Sequence, residues 1–183
     1  MTHPSPILAR RPLPLLVLLW ALALLAGLGT IDGPTPAAAQ EGGTVKAQFG
    51  DWQHVCRPPP PGAKNEVCGL TQSVTDEDRS NVGLSVQYQI YPNGKRILRI
   101  FAPTGVLLTK GVHMKIDDKD LGGVPFVRCP PLACIAQIEV DDKLLDLMKT
   151  GKTALFIIFQ TEEAGIGIPI SLAGFDKALA SLK

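Results

Sequence analysis

One short stretch limits what this chain can fold into: Pro125-Phe126-Val127-Arg128-Cys129-Pro130-Pro131-Leu132-Ala133-Cys134-Ile135-Ala136. Adjacent prolines remove two amide donors and fix φ, so the segment cannot be helical. What is left is two extended runs meeting at a stiff corner, with a cysteine at each shoulder. A disulfide across that corner would hold the two runs in register.

All four cysteines, Cys56, Cys68, Cys129 and Cys134, lie beyond residue 40. An even count in an exported chain reads as two disulfides, and four cysteines allow three pairings. The sequential pairing is favoured, because each pair then brackets a proline-rich loop: Pro58 to Pro61 in one, Pro130-Pro131 in the other. Loops this short would each contribute roughly 2–3 kcal/mol on the chain-entropy account. Zinc is the competing use of four cysteines, but paired C-x2-C knuckles are missing. A redox C-x-x-C is missing as well.

Export is read from the N-terminus. Arg10-Arg11 precede a leucine-rich run from Leu13 to Leu28, and a helix-breaking stretch then leads to Ala37-Ala38-Ala39. Basic, apolar and small-residue parts in that order make a secretory signal peptide over residues 1–39, cleaved after Ala39. The alternative is a retained membrane anchor, since the apolar run approaches the ~17–20 residues of a span. The paired arginines lack the surroundings of a twin-arginine signal. No apolar run in residues 40–183 reaches membrane-spanning length, so no span is expected after cleavage.

The whole chain carries 18 basic and 17 acidic side chains. Arg10, Arg11 and Asp32 lie in the leader, so residues 40–183 are formally neutral. That balance gives no electrostatic case for nucleic acid or an anionic membrane. A chain of this size suits one domain, burying roughly 68% of its unfolded surface.

Along residues 40–183, Gln40 to Gly43 reads as a loose end, Phe49 to Cys56 as one strand and Val67 to Val74 as a second, with Asp76 to Arg79 a solvated turn. Val82 to Tyr91 and Lys95 to Ala102 alternate on either side of Pro92-Asn93-Gly94, the strongest short-range hairpin signal in the chain. Val112 to Ile116 alternates again. Asp117-Asp118-Lys119-Asp120 lacks the glycine and final glutamate of an EF-hand loop and reads as an exposed β-turn. Ile135 to Val140 leaves the corner as a strand. Asp141 to Gly151 reads as a short helix capped by Asp141, with Gly151 as a left-handed stop. Lys152 to Gln160 is apolar on both faces, as a central strand would be. Gly165 to Leu172 carries Pro169, the mark of an edge or bulge. Gly174-Phe175-Asp176 opens a last helix. Eight or so short strands and two short helices predict an all-β fold, an antiparallel β-sandwich.

No catalytic constellation stands out. Beyond the leader there are two histidines, His54 and His113, and no nucleophile-elbow motif. Each histidine sits in an alternating run and reads as a strand side chain. The adjacent acids Glu162-Glu163 and Asp141-Asp142 fall in turns or helix starts, where carboxylates are ordinarily solvated. No catalytic residue, metal ligand or cofactor is assigned.

The order of features nonetheless resembles a known family. It comprises Phe49-Gly50-Asp51-Trp52 with Cys56 and Cys68; Pro103-Thr104-Gly105-Val106-Leu107-Leu108 followed by Gly111-Val112; Pro125-Phe126 with Cys129 and Cys134; Lys149-Thr150-Gly151-Lys152; and Ile170-Ser171-Leu172-Ala173-Gly174-Phe175. Together they resemble the invasion-associated locus B family of small exported Gram-negative proteins, over roughly Phe49 to Leu182. The resemblance implies an immunoglobulin-like β-sandwich with disulfides, in the periplasm or at the outer surface. It implies a link to host-cell entry and virulence, and brings no catalytic residues. The expectation is a non-enzymatic interaction module whose partner is an envelope or host-cell protein. The alternative is a small-ligand carrier or enzyme with an unrecognised site around Trp52, His54 and His113; convergence of those three in one pocket would favour it.

Overall fold

The computed structural model describes residues 43–62, 64–75 and 82–182. The expected leader and its expected cleavage site, and the expected turn at Asp76 to Arg79, lie outside the described residues. The elements in chain order are β1 (Thr44–Phe49), β2 (Trp52–Arg57), β3 (Val67–Thr75), β4 (Gly83–Ile90), β5 (Arg96–Ala102), β6 (Val112–Ile116), β7 (Lys119–Val124), β8 (Phe126–Arg128), β9 (Cys134–Glu139), α1 (Asp142–Thr150), β10 (Thr153–Phe159), β11 (Gly165–Ser171) and α2 (Phe175–Ala180). Every pairing is antiparallel. One sheet has seven strands in the order β1-β2-β3-β4-β5-β9-β8, and the other has four in the order β11-β10-β6-β7. The all-β sandwich expected from the strand signals is what forms.

Alternation decides which face of each strand is covered. On β4 and β5, Leu84, Val86, Tyr88, Leu98, Ile100 and Ala102 are buried. Ala154, Phe156 and Ile158 face them from β10. The core is keyed by Phe175 of α2, which meets Trp52 edge-on at 5.0 Å and Tyr88 at 5.5 Å. Edge-to-face aromatic pairs of this kind add about 0.5–1.5 kcal/mol to plain area burial. Trp52 Nε1 also donates to the Ser171 carbonyl at 2.8 Å, tying β2 of the large sheet to β11 of the small one.

The hairpin at Pro92-Asn93-Gly94 closes with Tyr91 N donating to the Lys95 carbonyl and Gly94 N to the Tyr91 carbonyl. Gly94 alone takes positive φ, so this is a three-residue loop with its glycine left-handed, not a two-residue turn on Asn-Gly. Pro169 does lie on an edge strand, and β10 is central, as their sequences suggest.

Four expectations change. Phe49 to Cys56 is not one strand: Gly50, at φ 62, turns the chain so that Phe49 pairs with Trp52. The count rises from eight or so to eleven strands among the described residues, because β1, β7 and the short β8 join. The acidic turn is narrower than Asp117 to Asp120. Asp117 adopts φ 49, and its carboxylate accepts from the amides of Lys152 (3.2 Å) and Thr153 (3.0 Å), bracing the start of β10. Finally, α1 begins as read, with Asp141 accepting from Leu144 N at 2.7 Å, but Gly151 is extended at φ −72 and not left-handed.

Both disulfides form in the sequential pairing, Cys56–Cys68 and Cys129–Cys134. The first joins residues directly opposite each other on β2 and β3. The second closes the proline corner between β8 and β9. Neither crosses from one sheet to the other, unlike the inter-sheet bridge of antibody domains.

Candidate functional site

Trp52, His54 and His113 do not share a pocket. Trp52 is 1% exposed and belongs to the core. His113 is on β6 in the small sheet, its ring edge-on to Phe159 at 5.5 Å. A Cβ on Gly123 would stand 2.8 Å from its Nε2, so that ring is packed over the neighbouring strand.

His54 has a different setting, at the seam between β2 and the chain end. Its Nδ1 lies 3.0 Å from Ser181 Oγ, and its Nε2 lies 3.4 Å from Cys56 Sγ. The ligand atoms of His54, Cys56 and Cys68 all lie within 4.8 Å of one another. Both sulfurs are joined in a disulfide, however, and offer no thiolate to a metal.

Two surface features remain. The corner presents Leu132 at 93% exposure, and the strand leading into it presents Val127 at 56%. Single exposed apolar side chains are ordinary. Leu132 is distinguished by its mounting, between two prolines and a cysteine that ties the loop to β9. Beside it, Leu132 and Ala133 border a groove of about 250 Å³ running along Val74, Leu84 and Phe101.

The second feature is a cleft of about 390 Å³ where β7 and β9 diverge beneath α1. Met114, Ile138, Leu144 and Leu147 supply apolar walls, and Lys143 and Asp120 stand at the mouth. Asp120 accepts from Gly122 N at 2.8 Å, with Lys115 Nζ at 3.5 Å. The Gly122 amide first, and Lys115 after it, hold its carboxyl below the usual aspartate range against the opposing effect of burial. An apolar cleft of this size with charge at its mouth suits a small amphipathic molecule. Sequence reasoning missed it, since its walls come from both sheets and a helix, whose meeting no local pattern records.

Among the described residues, no helix is long and apolar enough to cross a membrane.

The family model described as invasion associated locus B protein matches residues 52–183. Invasion protein B homologs of Brucella abortus, from strain 2308 and from biovar 1 strain 9-941, are each 25% identical over 168 residues. Each alignment covers 88% of this chain and 91% of the relative. The crystal structure of invasion associated protein B from Bartonella henselae superposes with a TM-score of 0.65 at 20% identity, over 76% of this chain and 95% of that one. At that identity the likeness concerns the fold.

Proposed function

The chain belongs to the invasion associated locus B family, and from that membership we propose that it is exported and works as a non-enzymatic interaction protein. Residues 1–39 direct export and are removed after Ala39, leaving residues 40–183 as the working domain in the periplasm or at the cell surface. The partner is an envelope or host-cell protein, in keeping with relatives named for invasion and not for a reaction. The observation that carries the reading is Leu132, 93% exposed on a loop fixed by Pro130, Pro131 and the Cys129–Cys134 bridge. A preordered apolar tip loses little conformational freedom on docking, which favours association. Of the two histidines in residues 40–183, His113 is packed edge-on against Phe159.

The test is capture from envelope and host-cell extracts by the oxidised protein, with Leu132→Asp alongside. Saturable capture that drops at least tenfold in the variant, at unchanged melting temperature, supports the reading. No saturable capture from either extract, or equal capture by the variant, overturns it.

The cleft beneath α1 favours a second reading, a carrier of small amphipathic ligands. Leu144→Trp would fill it. A ligand that raises the melting temperature of the parent protein and not of that variant would establish this reading.

A further inference from the structure

The setting of His54 fixes where its protons lie. Ser181 Oγ is 2.6 Å from the Ala178 carbonyl oxygen, which can only accept. A hydrogen must lie between those two oxygens, and the serine hydroxyl has one to give. Ser181 Oγ is therefore an acceptor toward the ring, and the proton in its 3.0 Å contact with His54 belongs to Nδ1. A neutral imidazole carries one ring proton, so the bare nitrogen is Nε2, 3.4 Å from Cys56 Sγ. A disulfide sulfur has no hydrogen to offer that lone pair. The arrangement fits a thiol at Cys56, which would donate to Nε2, or an imidazolium, whose Nε2–H would donate to the sulfur.

We infer that Cys56–Cys68 is a thiol-exchange site, in which His54 Nε2 carries the proton of Cys56 and Cys68 receives the incoming sulfur. The reactant is a thiol, small or on a protein. Its thiolate attacks Cys68 Sγ, forming a new S–S bond while the Cys56–Cys68 bond breaks. The electron pair of the broken bond stays on Cys56 Sγ, which takes the proton from the His54 imidazolium. The products are a mixed disulfide at Cys68 and a thiol at Cys56, paired with a neutral ring. In reverse, Nε2 removes the Cys56 proton, the Cys56 thiolate attacks Cys68 Sγ in the mixed disulfide, and the other sulfur leaves as a thiolate, with His54 left as the imidazolium. Electrons balance without a further oxidant or reductant. Burial agrees with this direction: Cys56 is 4% exposed, whereas Cys68 is half-buried and the more accessible residue of the pair. Exchange is fastest when the leaving sulfur is stabilised, which a neighbouring proton donor does. Ser181 acts through His54 as a positioning residue. The inference is independent of the partner surface at Leu132.

The molecule contains its own control. Cys129–Cys134 has no histidine beside it among the described residues, His113 being packed on Phe159. The oxidised protein is incubated with reduced glutathione at neutral pH, quenched with an alkylating agent and mapped by peptide mass. Glutathione is expected on Cys68 with Cys56 alkylated. His54→Gln should slow opening of this bridge about tenfold and leave the Cys129–Cys134 rate unchanged. Glutathione shared evenly between Cys56 and Cys68, or a His54→Gln rate within about twofold of the parent, overturns the inference. If His54→Gln fails to fold, shown by a faster Cys129–Cys134 opening, Ser181→Ala decides. That variant keeps the ring and frees its tautomer: slowing of about threefold or more supports the assignment, and an unchanged rate sinks it.

Discussion

Two residues, one half-buried and one buried, show how far a position's role departs from what its letter suggests. Gly151 follows a helix and so invites the left-handed stop that glycine commonly supplies, yet its φ is −72. Its smallness serves another purpose. A Cβ there would meet Ile116 Cγ2 at 2.6 Å and the Leu147 carbonyl oxygen at 2.8 Å. Gly151→Ala should therefore cost about 1–3 kcal/mol by overpacking, read as a lower urea midpoint at unchanged slope. Tyr88 makes the opposite point. Its ring is wholly buried against Phe175, but its hydroxyl has no hydrogen-bond partner among the described residues. Tyr88→Phe removes an uncompensated polar group and should stabilise the protein by about 1 kcal/mol. Burial raises the phenol pKa above its ordinary 10.0, with Arg96 opposing. The unfolded chain then loses this proton first, so the contribution is intact below pH 10 and declines as pH rises beyond it. Unfolding curves at pH 7 and above 10 should show the Phe variant's advantage growing with pH. Neither property could be seen in the sequence, because each depends on neighbours from another strand or helix.

At the scale of elements, legibility followed periodicity. β4 and β5 were readable because one face of each is buried, which imprints alternation on the residues, and β10 because it is apolar on both faces, as a central strand is. The strand β7 was not: Lys119-Asp120-Leu121-Gly122-Gly123-Val124 is exposed over most of its length, and two glycines erase the pattern. Similarly β1 lies at the sheet edge with four of its six positions exposed, and only the turn at Gly50 separates it from β2. The cysteine corner was legible for a different reason, since prolines constrain backbone without reference to packing. Its bridge closes a short loop, so the Cys129→Ser, Cys134→Ser pair should cost about 2 kcal/mol. Calorimetry should find the melting temperature several degrees lower while the far-ultraviolet β-signature persists. An unchanged melting temperature would mean that the loop is held by its prolines alone. The candidate sites were less visible than the strands. Leu132 reads as one more apolar letter, and the relation of His54 to Ser181 spans nearly the whole described chain.

For the whole molecule, the decisive fact is that both bridges lie within the seven-stranded sheet. What holds the layers together is packing around Trp52, Phe156 and Phe175, helped by the Trp52–Ser171 hydrogen bond. Full reduction should therefore lower the melting temperature without separating the layers. The buried Trp52 should keep its near-ultraviolet circular dichroism at room temperature, and heating should still give one cooperative transition. Two resolved transitions would show that the sulfur links, and not the core, unite the sheets.

The closeness of the linked cysteines along the chain, 12 positions for one pair and 5 for the other, bears on biogenesis. A polypeptide appearing from its N-terminus can seal each link using only the segment just released. Neither must wait for β10 or β11, and neither needs a remote cysteine to be kept apart from a wrong mate. Maturation of this protein should accordingly proceed with a simple oxidant, leaving little for a disulfide-shuffling chaperone to correct.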